Sequence, residues 1–285
     1  MIERILILGT GLIGASTGLA LRSAGFSGRI DGWDLSSLEL GAARQMGAIE
    51  GAAGNPWGAL ELARQADVIL LAMPVLAIKD WMQQLAAVTT AGQLITDVGS
   101  TKLEICELAQ TLFNAPDKAA FLPGHPMAGK ESGGALLAEG KLFNGAMWLF
   151  TPTHPEPTAI ELEWRTWIGF IGARTLDMEP ARHDEICAWV SHLPQMLSTA
   201  LAALLEDRFG DAPEIAAIGG RALRETTRLG ASPYSMWRDV ALTNTSPIAE
   251  TLHALEQRLA HVRENLRTPG LRDEFSLANK FRARR

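Results

Sequence analysis

The chain has 285 residues, of which 47% are apolar, and a formal net charge of −6; this is length enough for two ordinary domains and apolar content enough to bury real cores of a soluble globular protein. The acidic balance, with no dense Lys/Arg block before the short tail Lys280-Phe281-Arg282-Ala283-Arg284-Arg285, argues against nucleic acid as a partner. Cys106 and Cys187 stand far apart in helical patterns, giving neither a disulfide framework nor a metal-ligand spacing and fitting a reducing cytoplasm.

Ile5-Leu6-Ile7-Leu8 reads as a strand buried on both faces, and Gly9-Thr10-Gly11-Leu12-Ile13-Gly14 then opens a helix that ends near Gly25. The glycines at 9, 11, 14 and 18 argue against reading this opening as a secretory signal. A second strand is expected over residues 29–33, with Asp34 at its end, twenty residues beyond Gly14. That is the separation of a carboxylate that bonds the adenosine ribose. Strand, glycine turn, helix, strand and acid in register point to a dinucleotide site. Gly9, Gly11, Leu12, Ile13 and Gly14 form its phosphate cradle, and Asp34 is its ribose contact.

Further strand and helix units follow: a strand at 68–72 running into Met73-Pro74, a helix through Trp81 to Val88, and a strand leading into Asp97-Val98-Gly99-Ser100-Thr101-Lys102. Their alternation implies a Rossmann-type, doubly wound parallel sheet. Ligands bind beyond the carboxyl ends of such strands, which gathers Met73, Pro74, Ser100 and, after a strand near 119–122, His125 on one rim. The apolar run at 68–78 is far shorter than the ~20 residues of a membrane span, so no membrane association is expected.

Phe121-Leu122-Pro123-Gly124-His125-Pro126-Met127-Ala128-Gly129-Lys130-Glu131 is read as a rigid turn that aims one imidazole, the natural group for taking a proton near neutral pH. Strands at 147–150 and 173–178, with a helix between them, close the first domain, placed at residues 1–178. Residues 179–285 read as an all-α domain with helices over 181–208, 212–229 and 232–266 and a frayed, solvated tail. Their Ala and Leu content runs around the whole circumference, which predicts packing against a second copy.

Within that domain Pro194 cannot donate to the carbonyl of Val190, so a kink is expected at Ser191-His192-Leu193-Pro194-Gln195. His192, Gln195 and Thr199 share one face, and His192 either serves a pocket or satisfies the broken helix. Arg228 closes a helix, where it is either a helix-end charge or an anchor for a carboxylate. Met236-Trp237-Arg238-Asp239 looks like a helix start with a local ion pair.

The turn at 9–14, Asp97-Val98-Gly99-Ser100-Thr101-Lys102, Gly124-His125-Pro126-Met127-Ala128-Gly129, His183-Asp184, Ser191-His192-Leu193-Pro194, Thr227-Arg228 and Met236-Trp237-Arg238-Asp239 occur in the order seen in prephenate/arogenate dehydrogenases. The chain resembles that family over nearly its whole length. The resemblance implies NAD-dependent oxidative decarboxylation of a cyclohexadienyl substrate on the route to tyrosine, in a homodimer joined through the helical domains. It implies that His125 takes the proton of the ring C4 hydroxyl and that Ser100 bonds that hydroxyl or the base. Arg228 would hold a substrate carboxylate, while Glu131 and His192 organise the pocket. Many prephenate-using relatives carry a second histidine where this chain has Gln195, beside the substrate side chain, so the choice between prephenate and arogenate stays open. Asp34 favours NAD over NADP by repelling a 2′-phosphate. The chain ends with its helices, from which no fused regulatory or mutase domain is expected. A reductase of the β-hydroxyacid dehydrogenase or pyrroline-carboxylate type is the competing enzyme class, since both join a similar first domain to a helical one.

Overall fold

The alternation in Ile5-Leu6-Ile7-Leu8 decides how the first domain is layered. In the computed structural model, which describes residues 1–130 and 132–284, β1 (Arg4–Leu8) sends Ile5 and Ile7 into one apolar core and Leu6 and Leu8 into another. A strand buried on both faces belongs in the middle of a parallel sheet. Around it stand β2 (Arg29–Trp33), β3 (Gly51–Ala52), β4 (Val68–Leu71), β5 (Leu94–Asp97) and β6 (Ala120–Leu122), all parallel, in the order β3-β2-β1-β4-β5-β6. The connecting helices are α1 (Leu12–Ser23), α2 (Ser37–Gln45), α3 (Pro56–Ala63), α4 (Val75–Ala86) and α5 (Leu103–Phe113).

The later strands depart from expectation. Pro123, with no N–H to offer, ends β6, and the chain passes at once into β7 (Gly124–Pro126). β7 pairs antiparallel with β8 (Met147–Phe150), and β8 pairs parallel with β9 (Arg174–Asp177), so these three strands make a second small sheet. His125 therefore lies in a strand opposite Leu149 and not in a turn. Helix α6 (Ala159–Phe170), with a capping box between Thr158 and Glu161, buries Trp164 and Ile168 in the core behind this sheet.

The remainder is helical, but in shorter pieces than the sequence pattern suggests. Helix α7 (Pro180–Cys187) runs into a π turn over Ala188–His192 before α8 (Leu193–Phe209). The extra residue in the turn is the expected distortion ahead of Pro194, taking the form of a π bulge, a feature frequent at functional sites. The 212–229 pattern divides into α9 (Pro213–Ile218), α10 (Arg221–Thr227) and a 3-10 turn at Arg228–Ala231. Ser232-Pro233 separates that turn from α11 (Tyr234–Thr243), which is followed by α12 (Thr245–Glu264). Helix α13 (Pro269–Arg282) corrects the expected fraying of the tail: Thr268 caps its start, and Arg258 on α12 holds Glu274 at 2.7 Å. Among the described residues no helix is long and apolar enough to cross a membrane.

Candidate active site

The glycine turn has the shape of a phosphate cradle. Gly9 sits at φ +93°, a conformation side chains rarely adopt, and a Cβ there would lie 2.3 Å from the carbonyl oxygen of Ala72. A Cβ at Gly14 would fall 1.9 Å from the Gly9 oxygen, so helix and turn are in direct contact. Around Gly11 nothing lies within 4 Å of the same construction. Open space thus stands over the start of α1, where Leu12, Ile13 and Gly14 carry N–H groups with no intrahelical acceptor. The Asp34 carboxylate at the end of β2 accepts from the Thr10 N–H at 2.6 Å and from the Ser36 N–H at 2.8 Å, which sets it beside the turn. Met73 and the exposed Pro74 follow β4 on the same edge of the sheet. This donor set fits a dinucleotide: backbone N–H groups for the phosphates and a carboxylate for the ribose hydroxyls.

Next to that edge is a cavity of about 410 Å³ whose walls include Ser100, His125, His192, Gln195 and Arg228. Five residues separated by up to 128 positions in the sequence therefore meet in one place. Glu131 lies outside the described residues.

Asp97 fixes the two residues contributed by the first domain. Its carboxylate accepts from the Gly99 N–H at 2.7 Å, just before Ser100, and from the Gly124 N–H at 3.1 Å, just before His125. It also forms a fully buried ion pair with Lys102. Gly124 has no room for a side chain, since a Cβ would lie 2.8 Å from both the Asp97 oxygen and the Trp148 Nε1. Half-buried Ser100 makes no side-chain hydrogen bond among the described residues, so its hydroxyl is available to a ligand.

His125 is 8% exposed, and its Nδ1 lies 2.9 Å from Nε2 of His183 on α7. Nδ1 of His183 in turn lies 2.8 Å from the Asp184 carboxylate, which also accepts from the backbone N–H groups of Lys102 at 2.7 Å and Leu103 at 2.9 Å. Burial, then the neighbouring His183, Lys102 and His192, hold the His125 imidazole well below its usual range. The ring is therefore neutral at physiological pH. Cys187 brings a third potential ligating atom within 4.8 Å of the two histidines. Burial pushes its thiol up to about 12, however, and the two ring nitrogens are already joined at hydrogen-bond distance. The cluster reads as a hydrogen-bonded chain.

His192, 1% exposed, receives the amide of Asn244 on Nδ1 at 3.1 Å, while the same amide donates to the Asp184 carbonyl at 2.9 Å. Burial lowers its pKa to about 4. With Nδ1 occupied as an acceptor, Nε2–H is left as a donor. The satisfaction of His192 thus comes from α12's start rather than from the broken helix, and the ring still reaches the cavity wall. Gln195, 4% exposed, is committed inward: Nε2 donates to the Leu229 carbonyl at 2.7 Å and to Thr199 Oγ1 at 3.1 Å, and Oε1 accepts from Ser232 Oγ at 3.2 Å. It ties α8 to the turn that bears Arg228. The ion pair expected in α11 is present, Arg238 to Asp239 at 2.7 Å, and Asp239 also accepts from the Leu76 N–H at 3.2 Å, joining the two domains.

His183, Asp184 and Asn244 join this network without any local sign of it, although His183-Asp184 is one of the motifs shared with the family. Their contacts with His125, Lys102 and His192 span 58, 82 and 52 positions, and no local pattern carries that information.

Residues 17–174 match the family model described as prephenate dehydrogenase, nucleotide-binding domain, and residues 179–281 the model described as prephenate dehydrogenase, dimerization domain. A prephenate dehydrogenase of Lactococcus lactis is 31% identical over 261 residues, covering 91% of this chain and 70% of the relative. Among solved structures, the prephenate dehydrogenase of A. aeolicus in complex with hydroxyphenyl propionate and NAD+ superposes with a TM-score of 0.88 at 24% identity, over 100% of this chain and 97% of that one. The arogenate dehydrogenase of Synechocystis superposes with a TM-score of 0.79 at 27% identity, over 99% of both chains.

Proposed function

The chain belongs to the prephenate dehydrogenase family, and from that membership we propose that it catalyses the NAD-dependent oxidative decarboxylation of prephenate to 4-hydroxyphenylpyruvate in tyrosine biosynthesis. The observation that carries this reading is the meeting of Ser100, His125, His192, Gln195 and Arg228 around one cavity, with Ser100 following β5 of the same parallel sheet whose β1 leads into the glycine turn.

Gly9, Gly11, Leu12, Ile13 and Gly14 would hold the cofactor's phosphates and Asp34 its ribose, with Met73 and Pro74 flanking it. When bound, NAD supplies the acceptor for the hydrogen and electron pair that leave substrate C4. His125 accepts the C4 hydroxyl proton at Nε2, since Nδ1 is engaged with His183. Ser100 donates to the same oxygen or to the base. Arg228 binds a carboxylate of the dianionic substrate through a charge-assisted contact, and the neutral Nε2–H of His192 donates to another of its oxygens. Gln195 keeps the Arg228 turn in place. His125 is 8% exposed and faces the cavity, so substrate bound there would cover the base.

We place the boundary between the domains at residues 178 and 179, and the protein acts as a homodimer in the cytoplasm. Exposed apolar side chains on the helical domain, including Leu204, Ile218, Leu242 and Phe275, support burial against a second copy.

The test is NADH formation from prephenate and NAD by the wild-type protein and by His125→Asn, with arogenate run in parallel. Asparagine keeps a polar atom near the Nδ1 position but has none at Nε2. A kcat lowered ~10²-fold or more with little change in KM is expected, the usual contribution of a general base. Near-normal kcat would remove His125 from the chemistry.

A further inference from the structure

Resting on that reading of the reaction, we propose that His183 is a positioning residue, anchored by Asp184, that holds His125 as its Nδ1–H tautomer and shares the substrate's proton in a closed, reversible chain.

The tautomers follow from the donors. Both oxygens of Asp184 already accept backbone N–H groups, from Lys102 and Leu103, so the carboxylate acts as an acceptor toward His183 and Nδ1 of His183 carries a hydrogen. With its Nδ1–H turned to Asp184, His183 presents Nε2 to His125 as the acceptor. The 2.9 Å contact with His125 needs one proton between the two nitrogens, and it sits on His125 Nδ1. Cys187 Sγ, 3.6 Å from the same Nε2, is a second weak donor toward that lone pair. The nitrogen of His125 left without a proton is Nε2, which is what a general base requires. Lys102, ion-paired with Asp97, and His192 are the other charged or titratable groups around it, and neither supplies a competing acceptor at Nδ1.

The balance of the reaction explains why the chain is sealed. Once C4 has lost its hydrogen with the electron pair, the hydroxyl proton passes to His125 Nε2. The Nδ1 proton of His125 moves to His183 Nε2, and the resulting imidazolium lies against the Asp184 carboxylate. The bond between the ring and its carboxylate then breaks, CO2 leaves, and the electron pair reaches the C4 oxygen through the ring. That oxygen recovers a proton from His125 Nε2 while His183 returns its own. No proton is gained or lost overall, so no path to bulk water is needed. His183 is fully buried, and beyond it the chain ends on a carboxylate held by backbone N–H groups.

Two variants and the wild type decide the matter. In His183→Gln the side-chain oxygen can still accept from His125 Nδ1–H but cannot take the proton; His183→Leu can do neither. Single-turnover formation of NADH should slow ~10-fold in His183→Gln and ~10²-fold or more in His183→Leu, the range of a general-base contribution, with KM for prephenate unchanged. The dependence of the single-turnover rate on deuterium fraction should be bowed in the wild type, as for two protons moving together, and linear in His183→Gln. A linear dependence in the wild type overturns the shared proton even if both variants fail to fold. Wild-type rates in both variants overturn the role of His183 altogether. A wild-type protein that makes no NADH from prephenate overturns the functional reading, and the relay falls with it.

Discussion

Replacing Gln195 by leucine separates the two duties that a residue on the cavity wall can have. The side chains are similar in volume, so packing is nearly conserved and the polar contacts alone are removed. Of the three partners, Thr199 is exposed and turns to water at little cost, whereas the Leu229 carbonyl and the Ser232 hydroxyl are half-buried. An unsatisfied buried group costs ~1 to 3 kcal/mol, and partial exposure puts the sum for these two near ~2 kcal/mol. Gly230 N–H remains bound to Ser198 Oγ at 3.0 Å, so the Arg228–Ala231 turn loosens without detaching. Urea unfolding should show this loss, and steady-state kinetics should show KM for prephenate raised ~3- to 10-fold, about 1 kcal/mol, with kcat within ~2-fold. Unchanged or increased stability would refute the reasoning, because it would mean that the amide serves the substrate and not the turn.

Arg228→Ala should raise KM for prephenate by the equivalent of ~1.5 to 3 kcal/mol, the worth of a hydrogen bond to a charged group, leaving NAD affinity intact; normal KM with reduced stability would make Arg228 a helix-end charge only. Asp34→Ser should weaken NAD and relieve discrimination against NADP, measured as the ratio of kcat/KM for the two cofactors, and a wild type that already prefers NADP would contradict the role given to Asp34. Burial lowers the pKa of His192 to about 4 and that of His125 below its usual value, so the unfolded chain binds more protons below about pH 6.5. Stability is therefore full above that pH and falls as pH drops from 6.5 toward 4, by about 3 kcal/mol for His192 alone at ~1.36 kcal/mol per unit. His192→Asn, followed by unfolding at several pH values, should flatten this slope, and an unaltered slope would exclude His192 as its source.

What could be read from the sequence was what local chemistry encodes. Ile5-Leu6-Ile7-Leu8, the glycine turn and Asp34 lie close together in the chain, and their spacing carries the dinucleotide fold directly. Pro194 announced a distorted helix because a missing N–H is a local fact. The sequence singles out His125 as the expected base but not the strand that carries it, since Gly124-His125-Pro126 has no apolar alternation and pairs only because β8 returns alongside it. The antiparallel β7 and the separate sheet are consequences of that return. Gln195 looked like one residue of a polar stripe; its real partners, Leu229 and Ser232, lie 34 and 37 positions away. The tail, rich in basic residues, is solvated as its composition implies, but it is not frayed: Arg258 and Glu274 clasp α12 to α13, and the helix runs through Arg282.

The hydrogen bond between His125 and His183 crosses from one domain to the other: β7 belongs to the nucleotide-binding part, α7 to the helical part. A hydrogen bond of 2.9 Å tolerates very little separation. Moving the two parts ~1 Å apart along it would end it, because nitrogens beyond ~3.5 Å no longer share a proton. The contact that orients the proposed base is thus built jointly by the two parts of the chain.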